Sequence, residues 1–169
     1  MPGKQKRLSV CIEEYCSCIS QGDFPRAYRG IISALTAFKS SWEAVHSSDR
    51  VGTLYQGYLD MSFVAVLPDA LAAERLKISL VFLHPTGQFS LWLTAGNRTI
   101  QKSVSDALRA VPLGGYSLCA LEPGVDAIIS HDLPKPYPYD EPEQLNAFLM
   151  QAAESFRADM VSLIAKITL

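Results

Sequence analysis

Histidine and cysteine are scarce, and neither is arranged for chemistry. The three histidines, His46, His84 and His131, lie far apart, with none of the spacings that build a metal site. Of four cysteines, Cys11, Cys16 and Cys18 crowd together and Cys119 stands alone. On a helix, Cys16 and Cys18 point about 200° apart, so one tetrahedral metal cannot use both. No second cluster offers the missing ligands, and the thiols read as reduced fillers, with no metal and no cofactor expected. No Gly-rich phosphate loop, dinucleotide fingerprint or Gly-x-Ser-x-Gly elbow occurs. No apolar run nears the ~18 residues of a membrane span. Glu13 and Glu14 cut the first apolar stretch after about five residues, short of the ~7–15 of a signal-peptide core. A cytoplasmic protein without a membrane partner is expected. An excess of one charge is also missing: 15 Lys and Arg face 17 Asp and Glu, which speaks against nucleic acid as a partner.

Apolar residues are plentiful. They make up 49% of 169 residues, too many for a disordered chain and enough for a core without staples. The length is that of one domain, expected over 1–169, with 1–6 as a flexible N-terminal tail. Residues 7–20 read as an amphipathic helix ended by Gly22. Asp23 is the expected N-cap of a second helix, with Pro25 in its first turn. Phe24, Tyr28, Ile31, Leu35, Phe38, Trp42 and Val45 recur every three or four residues as its apolar stripe. Residues 47–53 read as a turn, 58–67 as a strand, and 69–75 as a short helical turn. Strands over 77–84 and 88–94 flank Pro85-Thr86-Gly87 as a hairpin. A helix runs from Gly96-Asn97 to about Val111, then come a strand over 116–121 and a short strand or helical turn over 125–131. Four prolines between 132 and 142 predict an extended strap, and Pro142 opens a long C-terminal helix.

This order predicts an α+β fold: a single, mostly antiparallel sheet of four to five strands with helices packed on it. Helix, three strands, helix, strand is also the core order of the PD-(D/E)xK nucleases. Those enzymes need carboxylates for Mg²⁺ and a lysine to steady developing charge. Asp60 offers one carboxylate, but the third strand reads Ser90-Leu91-Trp92, without the acid and Lys, so no catalytic residue is assigned. A mixed group remains. If Phe89, Leu91 and Leu93 face inward, Ser90, Trp92 and Thr94 face the other way, and Tyr58, Asp60 and Ser62 are expected on that same face. Asn97, Arg98 and Gln101 open the next helix beside it. Tyr58, Asp60, Trp92, Asn97, Arg98 and Gln101 are therefore the candidate ligand-binding residues, suited to a small polar or anionic molecule. The competing structural account has Asn97 capping the helix, Asp60 pairing with Arg98 and Trp92 packed under a terminal helix.

Five segments then point to one family: Gln21–Gly30, Leu54–Met61, Leu76–His84, Trp92 with Asn97–Gln101, and Pro123–Ile129. Their order along the chain resembles a family of uncharacterised bacterial proteins that share a domain of unknown function. The resemblance implies a bacterial, cytosolic origin and brings no activity, cofactor or catalytic residue. The family pattern often places an acid two residues before the Trp, where this chain has Ser90.

The expected function is a non-enzymatic small-ligand-binding or regulatory module. The alternatives are a divergent metal-dependent hydrolase on a degenerate PD-(D/E)xK fold and a structural self-association protein. The last draws on the C-terminal helix, about 39 Å long over 143–168. Met150, Ala153, Val161 and Ile164 widen its apolar stripe, so a homodimer through this helix is expected.

Overall fold

The first helix, α1 (Leu8–Ser20), ends at Gln21-Gly22, where Gly22 takes a left-handed φ of 69°. The second, α2 (Asp23–Val45), starts at once and buries Leu35, Phe38 and Trp42, the apolar stripe at helical spacing. A computed structural model describes residues 6–57 and 59–167 of the chain. Gly22 rather than Asp23 holds the N-cap position, and no side chain caps the helix. Asp23 instead lies in the first turn, where its charge still favours the helix dipole.

Six strands form one antiparallel sheet: β1 (Arg50–Val51), β2 (Tyr55–Gln56), β3 (Met61–Leu67), β4 (Leu76–Leu83), β5 (Gln88–Ala95) and β6 (Ala127–Asp132). The spatial order is β1-β3-β4-β5-β6, and β2 also pairs with β3. A 3-10 turn over Asp69–Leu71 links β3 to β4, and α3 (Arg98–Leu108) links β5 towards β6. The last helix is α4 (Pro142–Ile164). The fold is α+β.

Register decides what each face offers. Val64 pairs with Leu80, Leu80 with Leu91, and Leu91 with His131. Val66, Ile78, Leu93 and Ile129 form the next row. This face is dry, and its residues form one cluster with Leu35, Phe38 and Trp42 of α2 and Leu145, Leu149, Phe156 and Met160 of α4. Burying each large side chain stabilises the fold by about 1.5–3 kcal/mol. The opposite face carries Met61, Phe63 and Ala65 of β3, Ser79 and Val81 of β4, and Trp92 and Thr94 of β5. Neither α2 nor α4 covers it, and Met61, Phe63, Ala65, Trp92 and Thr94 are only half-buried.

Several expectations change. The segment 47–53, read as a turn, contains β1, and β2 follows it. Both are two-residue strands, too short to show a period. The strand read over 58–67 begins only at Met61. The strand read over 116–121 makes a single bridge, Leu118 with Ile129, plus the bond from Cys119 N to Ile128 O. Tyr116 explains why. Its ring packs edge-on against Phe156 and His131, and its hydroxyl donates to Asp159 at 2.7 Å, which draws the chain off the sheet edge. Helix α3 stops at Leu108, short of Val111. The proline-rich segment is a strap as expected. Tyr137 packs on Phe89, its hydroxyl accepts from Phe89 N and donates to Leu133 O, and Gln88 closes the knot. Along α4, Ala153, Phe156 and Ile164 are buried, while Met150 and Val161 on its flanks are half-buried. By contrast α1 buries nothing: Leu8, Ile12, Tyr15 and Ile19 all stand exposed.

Candidate functional site

The uncovered sheet face is hollowed into a groove of about 370 Å³. Its floor is set by strand register. Ala65, Ser79 and Trp92 form one row across β3, β4 and β5, and Phe63 and Val81 form the next. One end is closed by the start of α3, where Asn97, Arg98 and Gln101 line the wall. Lys77 and Asp126 stand on its sides.

Trp92 lies half-buried at the centre, and its Nε1 donates to Ser90 Oγ at 3.0 Å. Ser90 in turn donates to His131 O and is fully buried. The position two residues before the Trp therefore holds the indole in place rather than facing a ligand. Trp92 does not pack under a terminal helix; its exposed side faces the groove. Asn97 caps α3, its Oδ1 accepting from Ile100 N at 2.9 Å. Arg98 donates to Val125 O at 2.7 Å, to Glu122 O at 2.5 Å and to Gln101 Oε1 at 2.8 Å. Gln101, 3% exposed, donates to Val125 O and Ala127 O. Together Arg98 and Gln101 clamp residues 122–127 to α3, so they shape the wall.

Asp60 lies elsewhere. Leu59 adopts a left-handed φ of 62°, so the strand alternation does not extend back through it. Asp60 Oδ1 accepts from the next residue's N–H at 2.7 Å, and its carbonyl accepts from His84 N, at the hairpin end of the sheet. Arg98 follows β5 at the other end, and the two form no ion pair. Ser62 falls on the dry face, where Oγ meets His84 Nε2 at 2.9 Å. The expectation that Asp60 and Ser62 share a face with Trp92 is thus corrected: the residues of β3 that do so are Met61, Phe63 and Ala65. Tyr58 lies outside the described residues. Burial holds His84 below its ordinary pKa, and the nearby Asp60 charge opposes this without cancelling it.

Three polar groups of the groove escaped the sequence reading. Ser79 is 4% exposed and lines the groove. Lys77 and Asp126 make no ion pair among the described residues. The signal for Ser79 and Lys77 was present in the hairpin. Counting back from its loop sets Leu83 opposite Gln88, Ser79 opposite Trp92 and Lys77 opposite Thr94. Asp126 has no such local signal.

Other sites offer less. A wider hollow of about 550 Å³ lies along the outer side of α3, but Lys102 there is already paired with Asp106. No group of three or more His, Cys, Asp or Glu side chains among the described residues is placed to hold a metal ion. The four thiols are free, with Cys11, Cys16 and Cys18 exposed on α1. No helix among the described residues is long and apolar enough to cross a membrane.

Residues 8–164 match a family model described as a domain of unknown function, DUF7000. No curated protein and no solved structure matches the chain.

Proposed function

Since the chain belongs to the DUF7000 family, whose description carries no activity, we propose its function from geometry: it is a non-enzymatic module that binds a small ligand on the open sheet face. The carrying observation is the groove of about 370 Å³ itself, open on the sheet face, with Ser79 in the middle row of its floor. Around it the floor is apolar (Phe63, Ala65, Val81, Trp92) and one end is polar, the usual pattern of a small-molecule site. No hydrogen-bonded pair of nucleophile and base joins the groove's side chains among the described residues, which favours binding over catalysis. A cytoplasmic location agrees with four free thiols.

The test is a ligand-observed NMR screen of small polar and amphiphilic compounds, repeated with Ala65→Arg. Ala65 is a small residue in the centre of the floor, so a long side chain there fills the groove. Hits in the groove should vanish with this variant while the fold persists. Hits that all survive Ala65→Arg would refute the site.

Self-association is the second reading, and α1 is the element that favours it. Leu8 is 74% and Tyr15 59% exposed on one stripe, while Met150 and Val161 on the flanks of α4 are half-buried. A second copy pairing its own α1 with this one about a two-fold axis would bury both stripes. Light scattering should then give twice 18.5 kDa, and Ile12→Glu should return the monomer. A monomer at all concentrations would remove this reading.

A further inference from the structure

We propose that the groove takes a zwitterion: a free amino acid with a large apolar or aromatic side chain. This rests on the binding reading above and names the ligand class of the same site. Two opposite charges line the groove, Lys77 on β4 and Asp126 just before β6. Neither has an ion-pair partner among the described residues. Strand β5 separates them, because Lys77 pairs with Thr94 and Thr94 with Ala127. Two strand spacings set their backbones roughly 10 Å apart, so the charges flank the polar end instead of meeting across it. A carboxylate and an ammonium on one carbon bridge such a gap, the carboxylate towards Lys77 and the ammonium towards Asp126.

Ser79 supplies the next contact. It sits two residues along β4 from Lys77, on the same face and lining the groove, and its hydroxyl donates to the same carboxylate. Beyond it Val81, Phe63 and Trp92 offer an apolar path for a side chain. About 370 Å³ lies at the small end of the ~300–1,000 Å³ range of ligand pockets, in keeping with a molecule of amino-acid size. A simple carboxylate would leave Asp126 facing a like charge. A simple amine would do the same to Lys77. An internal residue of a peptide carries neither charge.

Calorimetry on the intact chain tests this with three compounds: L-phenylalanine, 3-phenylpropionate (no ammonium) and phenethylamine (no carboxylate). L-Phenylalanine should bind, and each single-charge analogue should bind about tenfold more weakly or worse, the loss of one charged hydrogen bond. Lys77→Met should erase the preference for L-phenylalanine over phenethylamine. Asp126→Asn should erase that over 3-phenylpropionate. Both positions are exposed, so the fold should hold, with circular dichroism as the check. A single-charge analogue that matches L-phenylalanine, and loses its binding in Ala65→Arg, overturns the zwitterion and leaves the groove as a binding site. No binding by any of the three, with a different compound bound in a manner sensitive to Ala65→Arg, does the same. No compound of any class sensitive to Ala65→Arg overturns both.

Discussion

Replacing Asp49 by Ala should be among the most damaging single changes in this chain. Its carboxylate is fully buried and ties three elements together. Oδ2 accepts from Trp42 Nε1 of α2 at 3.1 Å, and Oδ1 accepts from Asp69 N at the 3-10 turn at 3.0 Å. Arg157 of α4 brings Nε to 3.4 Å of Oδ2, a charge contact without hydrogen-bond alignment, since that N–H is otherwise unpartnered. Hydrogen bonds to a charged group contribute about 1.5–3 kcal/mol each, and breaking a buried ion pair costs about 3–5 kcal/mol. The Arg157 side chain is 27% exposed, so water recovers part of its loss. The expected cost is therefore about 3–4 kcal/mol, against a typical total of ~5–15 kcal/mol. For a chain of this length that lowers Tm by roughly 6–16 °C. Arg157→Met should cost less, because Asp49 keeps both of its hydrogen bonds. The double variant should cost less than the two single costs added, because neither charge is left alone. Urea unfolding followed by circular dichroism and tryptophan fluorescence measures all three. A cost below about 1 kcal/mol for Asp49→Ala would refute the view that this carboxylate joins α2, α4 and the 3-10 turn.

Three further outcomes are expected. His84 has its pKa lowered from 6.5 by burial, so the folded state prefers the neutral ring. Its share of stability is full above pH 6.5 and is lost as pH falls below that value, and His84→Gln should flatten this part of a pH–stability curve. Tyr116 is pushed up to about 12 by burial and by its bond to Asp159, so its share is lost as pH rises above 10. Tyr116→Phe should remove that alkaline decline, read from urea midpoints across the range. Gly57 leaves no room for a side chain, since a Cβ there would come within 2.0 Å of Met61 O. Gly57→Ala should cost about 1–3 kcal/mol, and a variant as stable as the parent would contradict the close approach.

What was legible followed from local signals. The stripe of α2 repeats large apolar residues over six turns, so no neighbour was needed to find it. Pro85-Thr86-Gly87 announced the β4–β5 hairpin, and the alternation of Phe89, Leu91 and Leu93 placed Trp92 on the other face. Trp92, Asn97, Arg98 and Gln101 came out together because they are close in sequence as well as in space. Asp60 did not join them, because a left-handed residue at Leu59 ends the alternation that its position relied on. Asp126 joins the groove only through the pairing of β5 with β6, a contact across more than thirty residues that periodicity does not carry. Asp49 was hidden in a polar stretch. Its one clue was Trp42, an indole N–H on a buried stripe that required an acceptor.

Helix α1 limits how cooperatively the whole chain can unfold. It has thirteen residues, no buried side chain and no capping side chain. A helix of that length is marginal in water when it has no tertiary support. Its opening free energy should therefore lie near zero, far below that of α2 or α4, so its amides should exchange with deuterated solvent while theirs stay protected. Thermal melting will show this as a mismatch between signals. Helical circular dichroism will fall early as α1 frays, while Trp42, buried and bonded to Asp49, reports nothing until the core opens. The two curves will separate although the core itself unfolds in one step.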